Sequence, residues 1–363
     1  RTRQQRYNGK AMGDSSVRSI RRWMRVATGI IMMFVALGSA SAWADGETLK
    51  KVKATGVVRC GVTEPLAGFA FQDAAGRWQG FNVDFCRALA AAVLGNPDKI
   101  ALVPLSSPAR FPALLAGRID VLLHTTTWTL GREAGIGVHF AGTYFYDGQA
   151  FMVPKNSRAR SVADLKATTI CVEKGTTTAG NLADYFRSRN WVYQPLVADS
   201  GTAAADAFLA GRCQALTSDR SQLAAVRARA AGGAAAYRIL PGLISKEPLG
   251  PVVRRGDEQW LTLVRWVLFA LIEAEERKVT RASVRGLQES ATDPALRRFL
   301  GADGQHDKAL GVNAGWVVRV IAAVGNYAEI YERNFGGESA LHIERELNRL
   351  WFDGGLLYAP PFN

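Results

Sequence analysis

Short β-rich runs and runs of helical period alternate along most of the chain. Val57-Val58-Arg59-Cys60-Gly61-Val62 reads as a strand, closed by the loop Glu64-Pro65-Leu66-Ala67-Gly68. After the turn at Ala75-Gly76, Phe85, Cys86, Leu89, Ala90 and Val93 share one helical face, which predicts a helix over 81–94. A strand over 100–105, a helix over 110–116 and a strand over 119–123 follow, the last running into a threonine-rich loop. The cadence restarts at Ser161-Val162-Ala163-Asp164-Leu165, with strands over 169–172, 193–197 and 214–218 and helices over 179–189 and 203–210. Two β-α-β-α-β units of this kind are the signature of open, largely parallel α/β sheets.

Two extended stretches, 144–153 and 249–253, flank the second unit and read as crossing points. The second unit is then inserted into the first, and the chain from Asp257 returns to the first. The expected organisation is a first lobe of 45–150 and 250–363, a second lobe of 151–249, and a two-strand hinge with a cleft where a small ligand binds. Near the C-terminus, Val317, Val320, Ile321, Val324 and Ala328 predict one helix over 316–333 packed on the first lobe.

The first 44 residues have a different pattern. Arg18, Arg21, Arg22 and Arg25 precede a 13-residue, mostly apolar run from Val26 to Gly38, and Ser-Ala-Ser-Ala-Trp-Ala then ends at Ala44. That order of basic, apolar and small residues is a secretory signal peptide cleaved near Ala44. The run is about seven residues short of a bilayer span, so no permanent membrane anchor is expected. Because the sequence begins at Arg1 and not at Met, residues 1–11 are read as an upstream extension.

Composition narrows the class. Hydrophobic residues make up 48% and charged residues 21% of the 363, which is ordinary for a globular protein. The net charge of +13 suggests a nucleic-acid partner until it is divided. Residues 1–44 carry eight Lys/Arg and one Asp, which leaves 37 basic and 31 acidic groups over the remaining 319. A surplus that dilute, with no run of five basic residues, argues against nucleic-acid binding.

The four cysteines, Cys60, Cys86, Cys171 and Cys213, are separated by 26, 85 and 42 residues. Zinc sites favour close C-x2-C pairs, so no metal centre is expected. An exported chain permits disulfides, and three connectivities exist. Cys60–Cys86 with Cys171–Cys213 is favoured because each closes a loop inside one lobe; four buried free thiols are the alternative.

Three loops at strand ends carry the candidate chemistry, where ligands sit in α/β sheets. In Leu123-His124-Thr125-Thr126-Thr127-Trp128-Thr129-Leu130-Gly131-Arg132, the arginine offers a planar fork for a carboxylate and the threonines offer hydroxyls. The plain alternative is a capped turn with a surface arginine. In Cys171-Val172-Glu173-Lys174-Gly175-Thr176-Thr177-Thr178, a Gly-Thr loop opens a helix and presents N–H groups to an anion, or is simply an N-cap. It lacks the P-loop pattern, so no nucleotide is implied. In Leu216-Thr217-Ser218-Asp219-Arg220, Asp219 is placed to accept an ammonium, or to cap a helix or pair with Arg220. Together the loops supply what a free α-amino acid requires.

These motifs, with Gly80-Phe81-Asn82-Val83-Asp84-Phe85, make the chain resemble the periplasmic amino-acid-binding proteins of ABC transporters (solute-binding protein family 3). It is most similar to their general L-amino-acid-binding branch, which shares the four-cysteine pattern and the segments 324–334 and 350–361. The resemblance covers about 45–363. It implies a two-lobed type II periplasmic-binding fold, each lobe an open, mostly parallel sheet with flanking helices. It also implies that Arg132 holds the α-carboxylate with Thr127 and the backbone around Thr125, that Thr177 adds a donor from the second lobe, and that Asp219 takes the α-ammonium. Glu64, Phe69 and Phe71 would lie near the entrance or the side-chain pocket. Departures from the family pattern are Asn82 in place of aspartate, Pro65 in place of glycine, Ala179-Gly180 at a helix start, and His124 beside the threonines.

The function expected is that of a periplasmic monomer that binds an L-amino acid and hands it to the permease subunits of an ABC transporter, with a cytoplasmic ATPase acting through them. No catalytic residue or cofactor is expected: the four histidines form no H-E-x-x-H, and no G-x-S-x-G occurs. The alternatives are an exported enzyme on the same fold, of the cyclohexadienyl or prephenate dehydratase kind, and a chemosensory amino-acid-binding subunit.

Overall fold

A computed structural model of the chain describes residues 46–302 and 305–362; the expected export segment, 1–44, lies outside the described residues. Two five-stranded sheets organise it. The first runs, edge to edge, Ile100–Leu105, Val58–Thr63, Val121–Leu123, Val252–Arg254 and Val138–Phe140. Its first three strands are parallel, with Val58 beside Ile100 and Cys60 beside Val121; Val252–Arg254 runs against them, and Val138–Phe140 pairs antiparallel with that strand. The second sheet repeats the plan with Gln194–Ala198, Thr169–Glu173, Ala215–Asp219, Gln149–Pro154 and Tyr237–Ile239. Again the first three strands are parallel, and only Gln149–Pro154 runs against the rest.

The chain crosses between the sheets twice, as the strands Phe145–Asp147 and Glu247–Leu249, which pair antiparallel with Glu247 opposite Asp147. The crossing strands therefore brace each other, and each continues into a sheet as an antiparallel member.

The helix Phe81–Leu94 starts and ends where its pattern predicts. Gly80 opens it at φ 126°, and a Cβ there would fall 2.2 Å from the Phe69 carbonyl oxygen, so only glycine fits the approach. Twelve of its fourteen residues are buried, against the sheet on one side and the helix Trp316–Val324 on the other. Cys86 on this helix is bonded to Cys60 on the strand Val58–Thr63, and Cys171 to Cys213 in the second sheet's lobe, with Cα–Cα distances of 6.2 and 5.8 Å. Closing loops of this length contributes about 3–4 kcal/mol each in the chain-entropy account.

The expected single helix over 316–333 is two, Trp316–Val324 and Tyr327–Asn334. Gly325 adopts φ 81°, and Asn326 restarts the chain: its side chain accepts the Glu329 N–H at 3.0 Å while the Glu329 carboxylate accepts the Asn326 N–H at 2.8 Å. This reciprocal cap favours a new helix over continuation of the old one. In the second lobe the helix Thr177–Arg187 starts two residues before the expected Ala179, because Thr176 caps it by accepting the Ala179 N–H.

The C-terminal segment returns to the crossing. The Asn348 amide bonds both backbone groups of Tyr146, at 2.7 and 2.9 Å, and Arg345 grips Glu275 with two hydrogen bonds.

Candidate functional site

The strand Val121–Leu123 releases the chain into the threonine loop, which is zipped onto the second crossing strand: the Trp128 N–H donates to the Pro248 carbonyl at 2.8 Å and the Gly250 N–H to the Thr126 carbonyl at 3.1 Å. Thr129 then caps the helix Leu130–Ile136 by accepting the N–H of Arg132. That cap fixes Arg132 in the first turn, where its guanidinium donates to the Thr127 carbonyl at 2.8 Å and lies over the Phe111 ring. Burial lowers its pKa, and Glu247 and then Asp219 oppose that shift.

The facing lobe contributes two strand ends. Thr177 opens the helix that follows strand Thr169–Glu173, and its hydroxyl lies 3.3 Å from that of Thr127. Asp219 ends strand Ala215–Asp219, is buried, and accepts a hydrogen bond from the Gln222 amide at 2.9 Å. Burial pushes its pKa well up, and the carboxylates of Asp147 and Glu247 push it further. Arg132 opposes that rise, so an acid from one lobe and a guanidinium from the other act on each other across a common space.

Glu247 joins them. Its Oε2 accepts protons from the hydroxyls of Thr127 at 2.5 Å and Thr177 at 2.8 Å, and its Oε1 from the Asn181 amide at 2.8 Å and the Ser245 hydroxyl at 2.5 Å. A hydroxyl has one proton to give. Both threonines give theirs to Glu247 and turn lone pairs to the cleft, so an anion there is left with the Arg132 fork and backbone N–H groups.

Behind the threonine loop lies a cavity of about 80 Å³ lined by, among others, Thr63, Glu64, Thr125, His124, Glu173 and Gln222. That is room for several water molecules or a short polar side chain. Under it sits Arg110, on the helix Arg110–Leu115 and only 2% exposed. Its guanidinium donates to Ser107 at 3.2 Å and lies 3.4 Å from His124 Nδ1, while its Nε has no partner among the described residues. Desolvation lowers its pKa to about 9, with help from Arg132. His124 Nε2 lies 3.1 Å from the Leu105 carbonyl and is the donor there, which leaves Nδ1 as acceptor. Burial, then Arg110, holds its pKa near 3, so the imidazole is neutral. Burial raises Glu173.

Of the expected residues, Thr127, Arg132, Thr177 and Asp219 converge between the sheets, and Thr125 and Glu64 line the cavity. Phe69 does not join them: it is fully buried in the first lobe's core against Phe145 and Phe335. Phe71 lines a separate open groove with Trp78 and Arg77. Asn82 is buried with its Oδ1 3.0 Å from the Tyr144 hydroxyl, which also donates to the His124 carbonyl at 2.9 Å, so this position links the crossing to the site loop. The sequence reading missed Arg110, Asn181 and Glu247. The one local sign for Arg110 was an arginine in the otherwise apolar Phe111-Pro112-Ala113-Leu114-Leu115 run. Among the described residues no cluster of metal-ligating side chains occurs, and no helix is long and apolar enough to cross a membrane.

Comparison with known proteins places this arrangement. Residues 58–282 match the bacterial extracellular solute-binding proteins, family 3. The chain is 46% identical over 340 residues to the general L-amino acid-binding periplasmic protein of Rhizobium johnstonii, covering 93% of this chain and 98% of that one. It is 44% identical over 333 residues to the glutamate/glutamine/aspartate/asparagine-binding protein of Rhodobacter capsulatus, covering 92% and 97%. Among solved structures, a periplasmic binding protein of an ABC transporter from Brucella ovis with glutathione bound superposes with a TM-score of 0.84 at 45% identity, covering 87% of this chain and 99% of that one.

Proposed function

The chain belongs to the bacterial extracellular solute-binding proteins of family 3, and from that premise we propose that it captures free L-amino acids between its lobes and delivers them to the permease of an ABC transporter. The observation that carries this reading is a pair of opposite charges from opposite lobes, the half-buried Arg132 and the buried Asp219. The Arg132 guanidinium is bonded to a neutral carbonyl and the Asp219 carboxylate to a neutral amide. A zwitterion laid between them gives each charge its counterpart: the α-carboxylate takes the fork of Arg132 and the α-ammonium takes Asp219. The ammonium also relieves the crowding of Asp147, Asp219 and Glu247, which adds to burial in raising the Asp219 pKa.

The side chain then points to the polar cavity, whose lining includes Ser107, Glu173 and Gln222 and which has the Arg110 guanidinium beneath it. Side chains that carry an amide or carboxylate, of the glutamine, asparagine, glutamate and aspartate kind, fit that mixture better than large apolar ones. The relative from Rhodobacter capsulatus, named for these four, supports the same class. The periplasm is the site of action by kinship with periplasmic proteins. The protein acts without catalysis: closing on the ligand and releasing it requires no bond to form or break.

Thermal unfolding of the ligand-free mature protein against the twenty L-amino acids, several D-isomers and glutathione tests this. Ligand at 100 times Kd adds about 2.7 kcal/mol, a rise of several degrees in Tm. Shifts with polar L-amino acids are expected. No shift with any amino acid, or product formation from prephenate or arogenate, would overturn the proposal.

A further inference from the structure

We propose that Glu247 is a cross-lobe clasp: a positioning residue that sets how strongly the closed state is favoured and, through it, the affinity for every ligand alike. The inference rests on the amino-acid-binding reading and adds to it the residue that couples closure to capture.

The geometry is that of one saturated carboxylate at a three-way junction. Glu247 is 1% exposed, and its two oxygens accept four hydrogen bonds, which fills their capacity. One donor, Thr127, belongs to the first lobe's loop. Two, Thr177 and Asn181, stand on the helix Thr177–Arg187 of the second lobe, and the fourth, Ser245, lies two residues before the crossing strand, where its hydroxyl oxygen accepts the Gln149 N–H. All four are neutral; the positive charge that acts on Glu247 is that of Arg132, which is not bonded to it, so the buried carboxylate leans on its donor set.

The donors do not move together. The threonine loop is tied to the Glu247 strand by the backbone bonds from Trp128 to Pro248 and from Gly250 to Thr126, so Thr127 and Glu247 form one body. Thr177 and Asn181 are carried by a helix that packs into the second lobe's own core through Leu182 and Phe186. Separation of the lobes parts Glu247 from two of its four donors, and closure returns them. Because both threonine hydroxyls spend their protons on Glu247, its carboxylate also fixes which way they face the ligand.

The test compares wild type, Glu247→Gln and Asn181→Ala. Titration with L-glutamine, L-glutamate and L-asparagine gives Kd and release rate, and small-angle scattering of the same samples with and without ligand gives closure. In Glu247→Gln the new side-chain amide sets a donor against donors. This variant is expected to weaken all three ligands by a common factor of about 10–100, through faster release, and to enlarge the ligand-free protein. Asn181→Ala, which removes one donor at the helix surface, is expected to weaken them by a common factor of about 3–10. It carries the test alone if Glu247→Gln does not fold. Unchanged Kd values would overturn the clasp. So would losses that differ between ligands by tenfold or more, since that pattern marks a direct ligand contact. Failure of the underlying reading is distinct: wild type itself would bind none of the three.

Discussion

The two lobes are built on the same strand order but are supported unequally. The first lobe's sheet carries one large core that draws residues from Leu49 to Ala359 and a small one, with Leu114, Ile119, Leu122 and Phe140, under the helix Arg110–Leu115. There the helix Glu258–Glu276 buries Trp260, whose indole donates to the Asp120 carbonyl at 2.9 Å, and Phe81 sits among the rings of Tyr144, Phe145, Tyr327 and Phe335. Each fully buried aromatic of this kind contributes about 1.5–3 kcal/mol. The second lobe has two smaller cores, one on each face of its sheet, and its edge strand Gln194–Ala198 is largely exposed. Both crossing strands are anchored to the first lobe's side: the threonine loop holds one and Asn348 the other. The first lobe with the C-terminal segment is therefore the frame, and the second is the part built to move.

On this account each lobe contributes one charge to the ligand. Arg132→Ala, in the frame, and Asp219→Ala, in the moving lobe, should each cost about 3–5 kcal/mol of binding, read by calorimetric titration, because each strands a ligand charge in a closed cleft. A large loss from only one of the two would mean that one lobe does the recognition alone.

Removal of a disulfide sharpens the difference in support. Cys171→Ala with Cys213→Ala, and Cys60→Ala with Cys86→Ala, are each expected to cost about 3–4 kcal/mol by loop entropy. In the second lobe the loss falls on a small core, so denaturant unfolding of that variant should become biphasic, with the second lobe melting first. In the first lobe the transition should stay single.

The pH dependence tests the buried imidazole of the frame. His124 has an ordinary pKa of 6.5 and is held near 3 in the folded protein, so the unfolded chain binds the extra proton. The stability it contributes is full above pH 6.5 and is lost as pH falls toward 3. Asp147 opposes this: burial raises it from 3.8 to about 6, so its contribution improves as pH falls through that window. The difference between proteins isolates His124. Between about pH 7 and 4.5, His124→Gln should lose less stability than wild type by about 2–3 kcal/mol, measured by urea unfolding.

The smallest effect concerns the tie between the moving lobe and the tail, where Arg220 grips Glu346 at 3.0 and 2.7 Å on an exposed surface. Glu346→Gln should change Kd and stability by less than about 1 kcal/mol. A larger effect on Kd would show that the tail, and not the crossing alone, governs closure.

How much of this was legible in the sequence follows the range of the interactions. The helix over 81–94, the alternating strands and the loops bearing Thr127, Arg132, Thr177 and Asp219 all announce themselves by local period or by residue types at a strand end. The break at Gly325-Asn326 was also local, but Val324 and Ala328 hold the helical spacing across it and hide the capping signal of Asn326 with Glu329. Glu247 was invisible for a different reason. It meets Thr127 from 120 positions away, in a short Glu-Pro-Leu strand that looks like any edge segment. Arg110 was legible only as the first residue of a helix, and that it is sealed beside His124 depends on a contact across 14 positions. Phe69 lies beside the Pro/Gly loop in sequence, but its ring turns inward, because Gly80 lets the next helix close over it.

The central claim is that recognition depends on both α-groups of an amino acid at once. Calorimetric titration of wild type with L-glutamate, with glutarate, which lacks the α-amine, and with 4-aminobutyrate, which lacks the α-carboxylate, tests it most directly. The account predicts binding of L-glutamate and a loss of at least about 100-fold for each analogue, since each leaves Asp219 or Arg132 in the closed cleft without its counterpart. Binding of either analogue within a few-fold of L-glutamate would contradict it.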